Sequence, residues 1–135
     1  MEQTLLIIKP DAVRRKLVGK IICRYERADF IIRAMKIVRL SVNEAREFYS
    51  VHKEKPFYND LVSFMTSAPC VPLILEAEDA IMRNRELMGA TNFKEAKEGT
   101  IRREFATSIQ ENCVHGSDSI DNAQKEINFF LPLMN

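Results

Sequence analysis

The sequence is poor in the residues from which several common functional sites are built. Its 135 residues include four glycines, three cysteines, two histidines and no tryptophan. The glycines form neither a G-x-G-x-x-G nor a G-x-x-x-x-G-K-[ST] pattern, which excludes the Rossmann and P-loop phosphate cradles. The cysteines form no C-x-x-C pair, and two histidines without an H-E-x-x-H pattern exclude a histidine-rich metal site.

The charge balance and the length of the apolar runs exclude further classes. The formal net charge is +1, so no overall field favours nucleic acid or an acidic membrane surface. The apolar runs are far shorter than the roughly 20 residues of a membrane span. The start MEQTLLIIKPD lacks the basic region and the cleavage site of a signal peptide. We therefore expect one cytoplasmic domain, residues 1–135, with no membrane partner and no required nucleic acid.

Hydrophobic periodicity predicts helices interleaved with strands. Short apolar runs predict strands at residues 4–8, 31–40, 71–75 and 112–114, and Pro72 indicates an edge position or irregular pairing for the third. Apolar stripes at helical spacing predict helices within residues 18–28, 45–52, 61–65, 80–88 and 120–131. Residues 91–100 have weak periodicity and are predicted to form a long surface loop. This order predicts an α/β or α+β sandwich in which helices cover one sheet.

The stretch NCVHGSDS, residues 112–119, carries the first candidate for chemistry. His115 follows a short apolar segment, and Gly116 after it permits a sharp turn or the close approach of a ligand. Ser117 and Asp118 supply a hydroxyl and a carboxylate, and a predicted helix begins just beyond them, where free N–H groups favour phosphate. A neutral imidazole that is held through one nitrogen keeps the other as a nucleophile. The alternative is a structural histidine, hydrogen-bonded at the end of a strand.

Glu126 and several positively charged residues are further candidates. Glu126 lies at the edge of the apolar stripe of the last helix, either as a boundary glutamate that faces water or as the carboxylate that orients His115. Lys9 ends the first strand, and the ends of strands border the crevices in which α/β proteins bind ligands. Arg85 and Arg102 suit phosphate through their planar guanidinium groups, although most surface arginines are only solvated charges.

The motifs resemble those of the nucleoside diphosphate kinase family. The pattern N-x-x-H-G-S-D-S is present as NCVHGSDS, and TLLIIKPDAV, EFYSVHKEKPFY, FMTSAPCV, RELMGATN, GTIRREF and AQKEI agree with the family in order and spacing. The resemblance covers essentially the whole chain. It implies a ferredoxin-like α+β sandwich, in which helices cover a four-stranded antiparallel sheet. It also implies transfer of the γ-phosphate of a nucleoside triphosphate, mainly ATP, to a nucleoside diphosphate by a ping-pong mechanism that maintains the nucleotide pools.

The family's site residues carry over to the matching positions of this sequence. His115 is then the phosphorylated nucleophile, and Ser117 and Glu126 position it. Lys9 contacts the transferred phosphate, and Tyr49 lies beside it. The implied nucleotide-binding residues are Phe57 on the base, Leu61 at its border, Lys9, Arg85, Thr91 and Arg102 on the phosphates, and Asn112 on the sugar 3′-hydroxyl.

The resemblance also implies a cofactor and partners. Asp118 would help to hold Mg²⁺ through water, and the substrates would be nucleoside di- and triphosphates. Residues 91–111 match the family's long loop, which shapes the nucleotide site and the contacts between subunits of a homo-oligomer. The chain ends at FFLPLMN, whereas many members continue into a tail that contacts neighbouring subunits. The resemblance therefore leaves tetramer and hexamer open.

Three residues depart from the family pattern, and two other functions are alternatives to the kinase hypothesis. Arg103 and Glu104 stand where the family usually has a small residue and an aspartate, and Lys55 stands where arginine is common. These changes affect loop packing or local charge but keep Arg102. The alternatives are a phosphohistidine relay to another protein and a nucleic-acid-binding module on the same fold. The net charge of +1 and the absence of aromatic residues from the predicted strands disfavour the nucleic-acid module.

Overall fold

The computed structural model describes residues 1–134, which form one four-stranded sheet covered by helices. The strands are β1 (Glu2–Ile8), β2 (Ile31–Met35), β3 (Val71–Ala77) and β4 (Val114–Gly116). The helices are α1 (Pro10–Arg14), α2 (Val18–Arg27), α3 (Val42–Phe48), α4 (Tyr58–Met65), α5 (Ala80–Met88), α6 (Ile101–Phe105) and α7 (Ile120–Met134), with short 3₁₀ helices at Ser50–His52 and Phe93–Glu95. The strand order is β2-β3-β1-β4, and every pairing is antiparallel. The predicted α+β class and ferredoxin-like antiparallel sheet are confirmed.

The two faces of β1 belong to two separate hydrophobic cores. Leu6 and Ile8 pack in one core, which includes residues of α2. Leu5 and Ile7 pack in the other, which includes residues of α3, α4 and α7. Successive side chains of a strand point to opposite faces, so a strand that is buried on both faces has an unbroken apolar sequence. This explains why TLLII shows no polar alternation.

The helices begin and end at local sequence signals. Ser41 starts α3 with a capping box, in which its hydroxyl accepts from the N–H of Glu44 and the Glu44 carboxylate accepts from the N–H of Ser41. Gly89 ends α5 with φ of 89°. The hydroxyl of Ser119 accepts from the N–H of Asn122 at 3.1 Å and caps the start of α7. None of the helices within residues 1–134 has the length and apolar content needed to cross a membrane.

Several predicted boundaries were wrong. The last strand begins at Val114 rather than at residue 112, because Cys113 has a positive φ of 77° and forms a turn with Asn112. β2 ends at Met35 rather than at residue 40, although Val38 still makes an isolated bridge. The predicted loop 91–100 contains a 3₁₀ helix, and α1 and α6 were missed. Both helices have five residues, too few for periodicity to be recognised.

Pro72 lies in a central strand, so the predicted edge position was wrong. β3 pairs with β1 on one side and with β2 on the other. The carbonyl of Pro72 accepts from the N–H of Lys36 at 3.3 Å, just past the end of β2. Because the N–H and C=O of a strand residue face the same neighbour, the missing N–H of Pro72 also faces β2. The irregularity in the pairing of β2 with β3 lies between Ile32 and Ala34, away from Pro72, and the ladder between β1 and β3 loses no bond.

Candidate active site

A cleft of about 1720 Å³ opens beside the end of β4. The end of β1, helices α3, α5 and α7, the start of α4 and the segment between α5 and β4 all contribute side chains to it. Every site residue predicted from the sequence lines this cleft except Ser117. Ser117 is fully buried and bonds to Glu126 in the cleft wall. The fold therefore brings together residues that are spread over more than a hundred positions of the chain.

The register of β4 decides which way His115 faces. His115 pairs with Ile7 of β1, and directly paired residues of an antiparallel ladder point their side chains to the same face. Ile7 belongs to the core that includes α3 and α7, so His115 meets residues of these two helices. The ring of Phe48 packs edge-on against the imidazole, with the ring centroids 5.7 Å apart and the planes at 74°.

The imidazole of His115 is held through one nitrogen only. Its Nε2 lies 3.1 Å from Oε1 of Glu126, and the hydroxyl of Ser117 donates to the same oxygen at 2.7 Å. Ser117 is itself tied to β1, because its N–H donates to the carbonyl of Leu5 at 3.2 Å. The carboxylate favours the tautomer with the proton on Nε2. Nδ1 bonds to none of residues 1–134, so its lone pair is available to react.

Lys9 and Asn112 form a buried pair in the cleft wall. They are 8% and 2% exposed, and Nζ of Lys9 donates to Oδ1 of Asn112 at 2.9 Å and to the carbonyl of Gln110 at 3.5 Å. Burial lowers the pKa of Lys9 from 10.5 to about 8, and Arg102 adds to this effect while Asp11 opposes it. An anionic ligand in the cleft would favour the charged ammonium, so this lysine suits phosphate.

Arg102, on α6, is hydrogen-bonded to the end of α5 and to β4. Its guanidinium donates to the carbonyl of Gly89 at 3.0 Å and to the carbonyl of Val114 at 2.8 Å. Burial lowers its pKa, and Arg85 contributes in the same direction.

A Cβ on Gly89 would lie 2.5 Å from Oγ1 of Thr100, and the φ of Gly89 is positive, so only glycine permits this close approach.

Tyr49 presents an unpaired hydroxyl in the cleft wall. The side chain is buried, and its oxygen has no hydrogen-bond partner among residues 1–134. Burial raises the pKa of Tyr49, and Cys70 and Glu126 raise it further, so the hydroxyl keeps its proton. A buried hydroxyl without a partner is unfavourable, which suits it to donate to a ligand.

The outer part of the cleft is exposed. Phe57 is 45% exposed, and its ring lies 5.4 Å from that of His52. Arg85 and Thr91 are exposed, and their side chains make no hydrogen bond or ion pair within residues 1–134. Leu61 is half-buried at the same rim.

Sequence reasoning missed several residues of the site. Phe48 was assigned to the apolar stripe of its helix, and nothing in the sequence indicated its contact with His115. Ile109 is exposed in the cleft, but a single isoleucine in a loop gives no periodic signal. The carbonyl of Gln110 acts through the backbone, which sequence patterns do not reveal. Asp11 was detectable, because it belongs to the same K-P-D string as Lys9.

The residues fit a divalent cation that is held mainly by ligand oxygens. Residues 1–134 contain no group of three or more His, Cys, Asp or Glu side chains placed to hold a metal ion. Asp118 offers an exposed carboxylate at the cleft, which accepts from Nδ2 of Asn122 at 2.6 Å. This hydrogen bond lowers the pKa of Asp118, so the carboxylate is charged at neutral pH. Magnesium bound to phosphates commonly uses only one or two protein carboxylates and several waters.

Nearly the whole chain is similar to one known family. The model of the nucleoside diphosphate kinase family matches residues 2–135. The chain belongs to this family. A nucleoside diphosphate kinase from a Nitratiruptor species is 62% identical over 130 residues, which cover 96% of this chain and 95% of the relative. The corresponding protein of Campylobacter curvus is 61% identical over the same shares of both chains.

Solved structures of nucleoside diphosphate kinases share the fold. The Aquifex aeolicus enzyme has a TM-score of 0.94 at 45% identity, covering 96% of this chain and 94% of that one. The Halobacterium salinarum enzyme in complex with CDP has a TM-score of 0.93 at 39% identity, covering 96% and 87%. The chain is therefore a phosphotransferase of this family. It passes the γ-phosphate of a nucleoside triphosphate to a nucleoside diphosphate by a ping-pong mechanism through a phosphohistidine, and it needs a divalent cation.

Proposed function

We propose that His115 carries the phosphoryl group and that its Nδ1 is the attacking atom. The observation that carries this proposal is the bond between Nε2 and Glu126, which leaves Nδ1 as the free nitrogen. Nδ1 attacks the γ-phosphorus of a nucleoside triphosphate, the bond to the bridging oxygen breaks, and the nucleoside diphosphate leaves. A terminal oxygen of a second nucleoside diphosphate then attacks the phosphorus and releases His115. The carboxylate of Glu126 stabilises the positive charge that develops on the imidazole, and Ser117 positions that carboxylate.

The buried positive groups stabilise the charge of the moving phosphoryl group. The ammonium of Lys9 contacts its oxygens, and the unpaired hydroxyl of Tyr49 donates beside it. Arg85, Thr91 and Arg102 bind the remaining phosphates of the nucleotide. Phosphoryl transfer depends mostly on positioning and on such electrostatic stabilisation, so these groups account for most of the catalysis.

Exposed residues at the rim of the cleft and the buried Asn112 bind the nucleoside. Phe57 stacks on the base and Leu61 borders it, while Asn112, whose Oδ1 is held by Lys9, donates through Nδ2 to the sugar 3′-hydroxyl. Every base has a π-face, so stacking gives broad base specificity. The Halobacterium relative in complex with CDP supports a site that accepts a pyrimidine nucleotide.

We propose that the divalent cation is Mg²⁺ and that Asp118 contacts it through water. When bound to the nucleotide, Mg²⁺ neutralises part of the phosphate charge. The charged carboxylate at the cleft supports this assignment. An Asp118→Asn variant should need a higher Mg²⁺ concentration for half-maximal activity, by several-fold, with little change in activity at saturating Mg²⁺. An unchanged requirement would remove Asp118 from the proposed cation site.

We also propose a homo-oligomer, a tetramer or a hexamer, formed by a single-domain cytoplasmic chain. β2 is an edge strand of the described sheet, and Ile31, Met35 and Ile37 expose apolar side chains in or beside it. An exposed edge of this kind favours pairing with another chain. Both cores share β1, which supports one domain over residues 1–135, and free cysteines suit a reducing compartment. Sedimentation equilibrium would distinguish tetramer from hexamer, and a monomeric mass would overturn the proposal.

The test of His115 is direct. Incubation with radiolabelled ATP and Mg²⁺ should yield a phosphoenzyme that is stable in base and labile in acid, and a GDP chase should discharge it as labelled GTP. His115→Ala should take up no label. His52→Ala, which removes the other histidine, should still be labelled at the first step.

The outcomes of this experiment distinguish the proposed kinase mechanism from its alternatives. Labelling of His115→Ala at the wild-type level would remove His115 from its proposed role. A labelled His115 that is not discharged by GDP would favour a phosphohistidine relay to another acceptor.

A further inference from the structure

A strained turn immediately precedes β4. Cys113 has a positive φ of 77°, and the N–H of Val114 donates to the carbonyl of Asn112 at 2.9 Å. A hydrogen bond that closes over one residue with this φ defines a γ-turn of the rare form that is strained for L residues. The turn lies between Asn112 and His115, so its conformation sets the position of one relative to the other.

Both backbone groups of Cys113 are bonded to the segment that begins α1. The N–H of Cys113 donates to Oδ2 of Asp11 at 3.1 Å, and its carbonyl accepts from the N–H of Lys9 at 2.8 Å. Asp11 and Cys113 are both buried. Strained backbone conformations persist only where the surrounding structure over-determines them, and these two bonds do so here.

We propose that Asp11 is a positioning residue, whose carboxylate holds the turn at Cys113 and thereby sets Asn112 and His115 relative to Lys9. This inference rests on the proposed function of those three residues. Asp11 also lies in the first turn of α1, where an acidic side chain stabilises a helix. A carboxylate that served only α1 would be indifferent to which residue occupies position 113, which gives the two roles different consequences.

The first measurement is the single-turnover rate at which ATP phosphorylates His115. Asp11→Ala removes the acceptor of the Cys113 N–H and should slow the rate about tenfold or more, since the strained turn loses one of its two supports. Asp11→Asn keeps a carbonyl oxygen that accepts the same bond and should retain most of the rate. Asp121→Ala, which removes an exposed acid from the first turn of α7, should react at the wild-type rate.

The decisive experiment adds a second substitution, at Cys113, to the Asp11→Ala variant. Glycine adopts a positive φ without strain, so Cys113→Gly should recover most of the lost rate. Cys113→Ala removes the thiol but keeps the strain, so it should recover none. A wild-type rate for Asp11→Ala, or equal rates for the two double variants, would overturn the proposal.

Hydrogen exchange at the Val114 amide, which closes the turn, tests the same idea without activity. Asp11→Ala should accelerate this exchange about tenfold. In the Asp11→Ala background, Cys113→Gly should reverse the acceleration, whereas Cys113→Ala should not. Equal exchange rates in the two double variants would contradict the proposal. If wild-type protein took up no label at His115, the proposed function would fail, and the exchange series would still decide whether Asp11 holds the turn.

Discussion

The inner and outer parts of the cleft are built differently. In the inner part, Lys9, Asn112 and Arg102 are buried and hydrogen-bonded to other parts of the protein. In the outer part, Phe57 and Arg85 are exposed, and Arg85 makes no side-chain bond within residues 1–134. Groups that are already oriented need not reorganise as charge moves during the reaction, so the inner part suits the chemical step. The exposed outer groups suit binding of the nucleotide rather than the chemical step.

This difference predicts different kinetic effects. A group that acts on the transferred phosphoryl lowers kcat when it is removed, whereas a group that only binds the nucleoside raises KM. Substitution of Lys9 in the inner part should therefore change the chemical step, and substitution of Phe57 at the rim should change mainly nucleotide affinity.

Lys9→Ala should lower kcat by roughly 10²–10³-fold, the cost of removing one charge-stabilising donor from a preorganised site. Stopped-flow measurement of both half-reactions would test this. Lys20→Ala, which removes an exposed lysine from α2, is the matched control and should be near wild type. If Lys9→Ala lowered only nucleotide affinity, Lys9 would be a binding residue. The inner and outer parts of the cleft would then not differ in their kinetic roles.

Glu126→Ala should slow the phosphorylation of His115 on the order of 10–100-fold, because Nε2 loses the carboxylate that fixes the tautomer. Glu126→Gln should have a smaller effect, because its carbonyl oxygen still accepts from Nε2–H and from the Ser117 hydroxyl. The same single-turnover assay measures both. If the two variants were equally slow, the charge of Glu126 would matter more than the orientation it imposes.

The pH dependence of kcat/KM should carry the signature of Lys9. Its pKa in the free enzyme is about 8 rather than 10.5, so the ammonium is lost as pH rises through 8. At pH 9 activity should therefore fall about tenfold below its plateau if the charged form is required. Lys9→Arg keeps its charge at high pH and should abolish this decline. A decline that persisted in Lys9→Arg would belong to another group.

Phe57→Ala should raise KM for nucleotides by about tenfold and leave kcat largely unchanged, because one base–aromatic contact is worth roughly 1–3 kcal/mol. Phe57→Tyr keeps the ring and serves as the control. Steady-state kinetics with a purine and a pyrimidine nucleotide would compare the losses. A fall in kcat as large as that in Lys9→Ala would mean that the rim also positions the phosphates.

Most of the fold was predictable because its signals are local. The capping box at Ser41, the glycine after α5 and the apolar runs of β1 and β3 each depend on residues close together in the chain. The errors have local causes too. α1 and α6 are too short for periodicity. Pro72 was misplaced because its missing N–H faces Lys36, just past the end of β2, and leaves the pairing of β3 with β1 intact.

The candidate site was predictable in its residue types but not in its contacts. NCVHGSDS and the K-P-D string indicated which side chains to expect. They did not indicate that Lys9 donates to Asn112, which is 103 positions away, or that the ring of Phe48 packs on His115. Asp11 lay next to Lys9 in the sequence, yet its bond to Cys113 follows only from the way α1 approaches the start of β4.

Local sequence patterns were enough for the order of the strands and the longer helices, the apolar faces that they bury and the chemical groups available for phosphoryl transfer. Tertiary structure alone decided which of these groups meet. The physical reason is the register of the sheet: pairing of His115 with Ile7 turns the imidazole toward Phe48 and Glu126. A slip of one residue would turn it to the opposite face. Register depends on contacts between distant segments, and these exist only once the chain has folded.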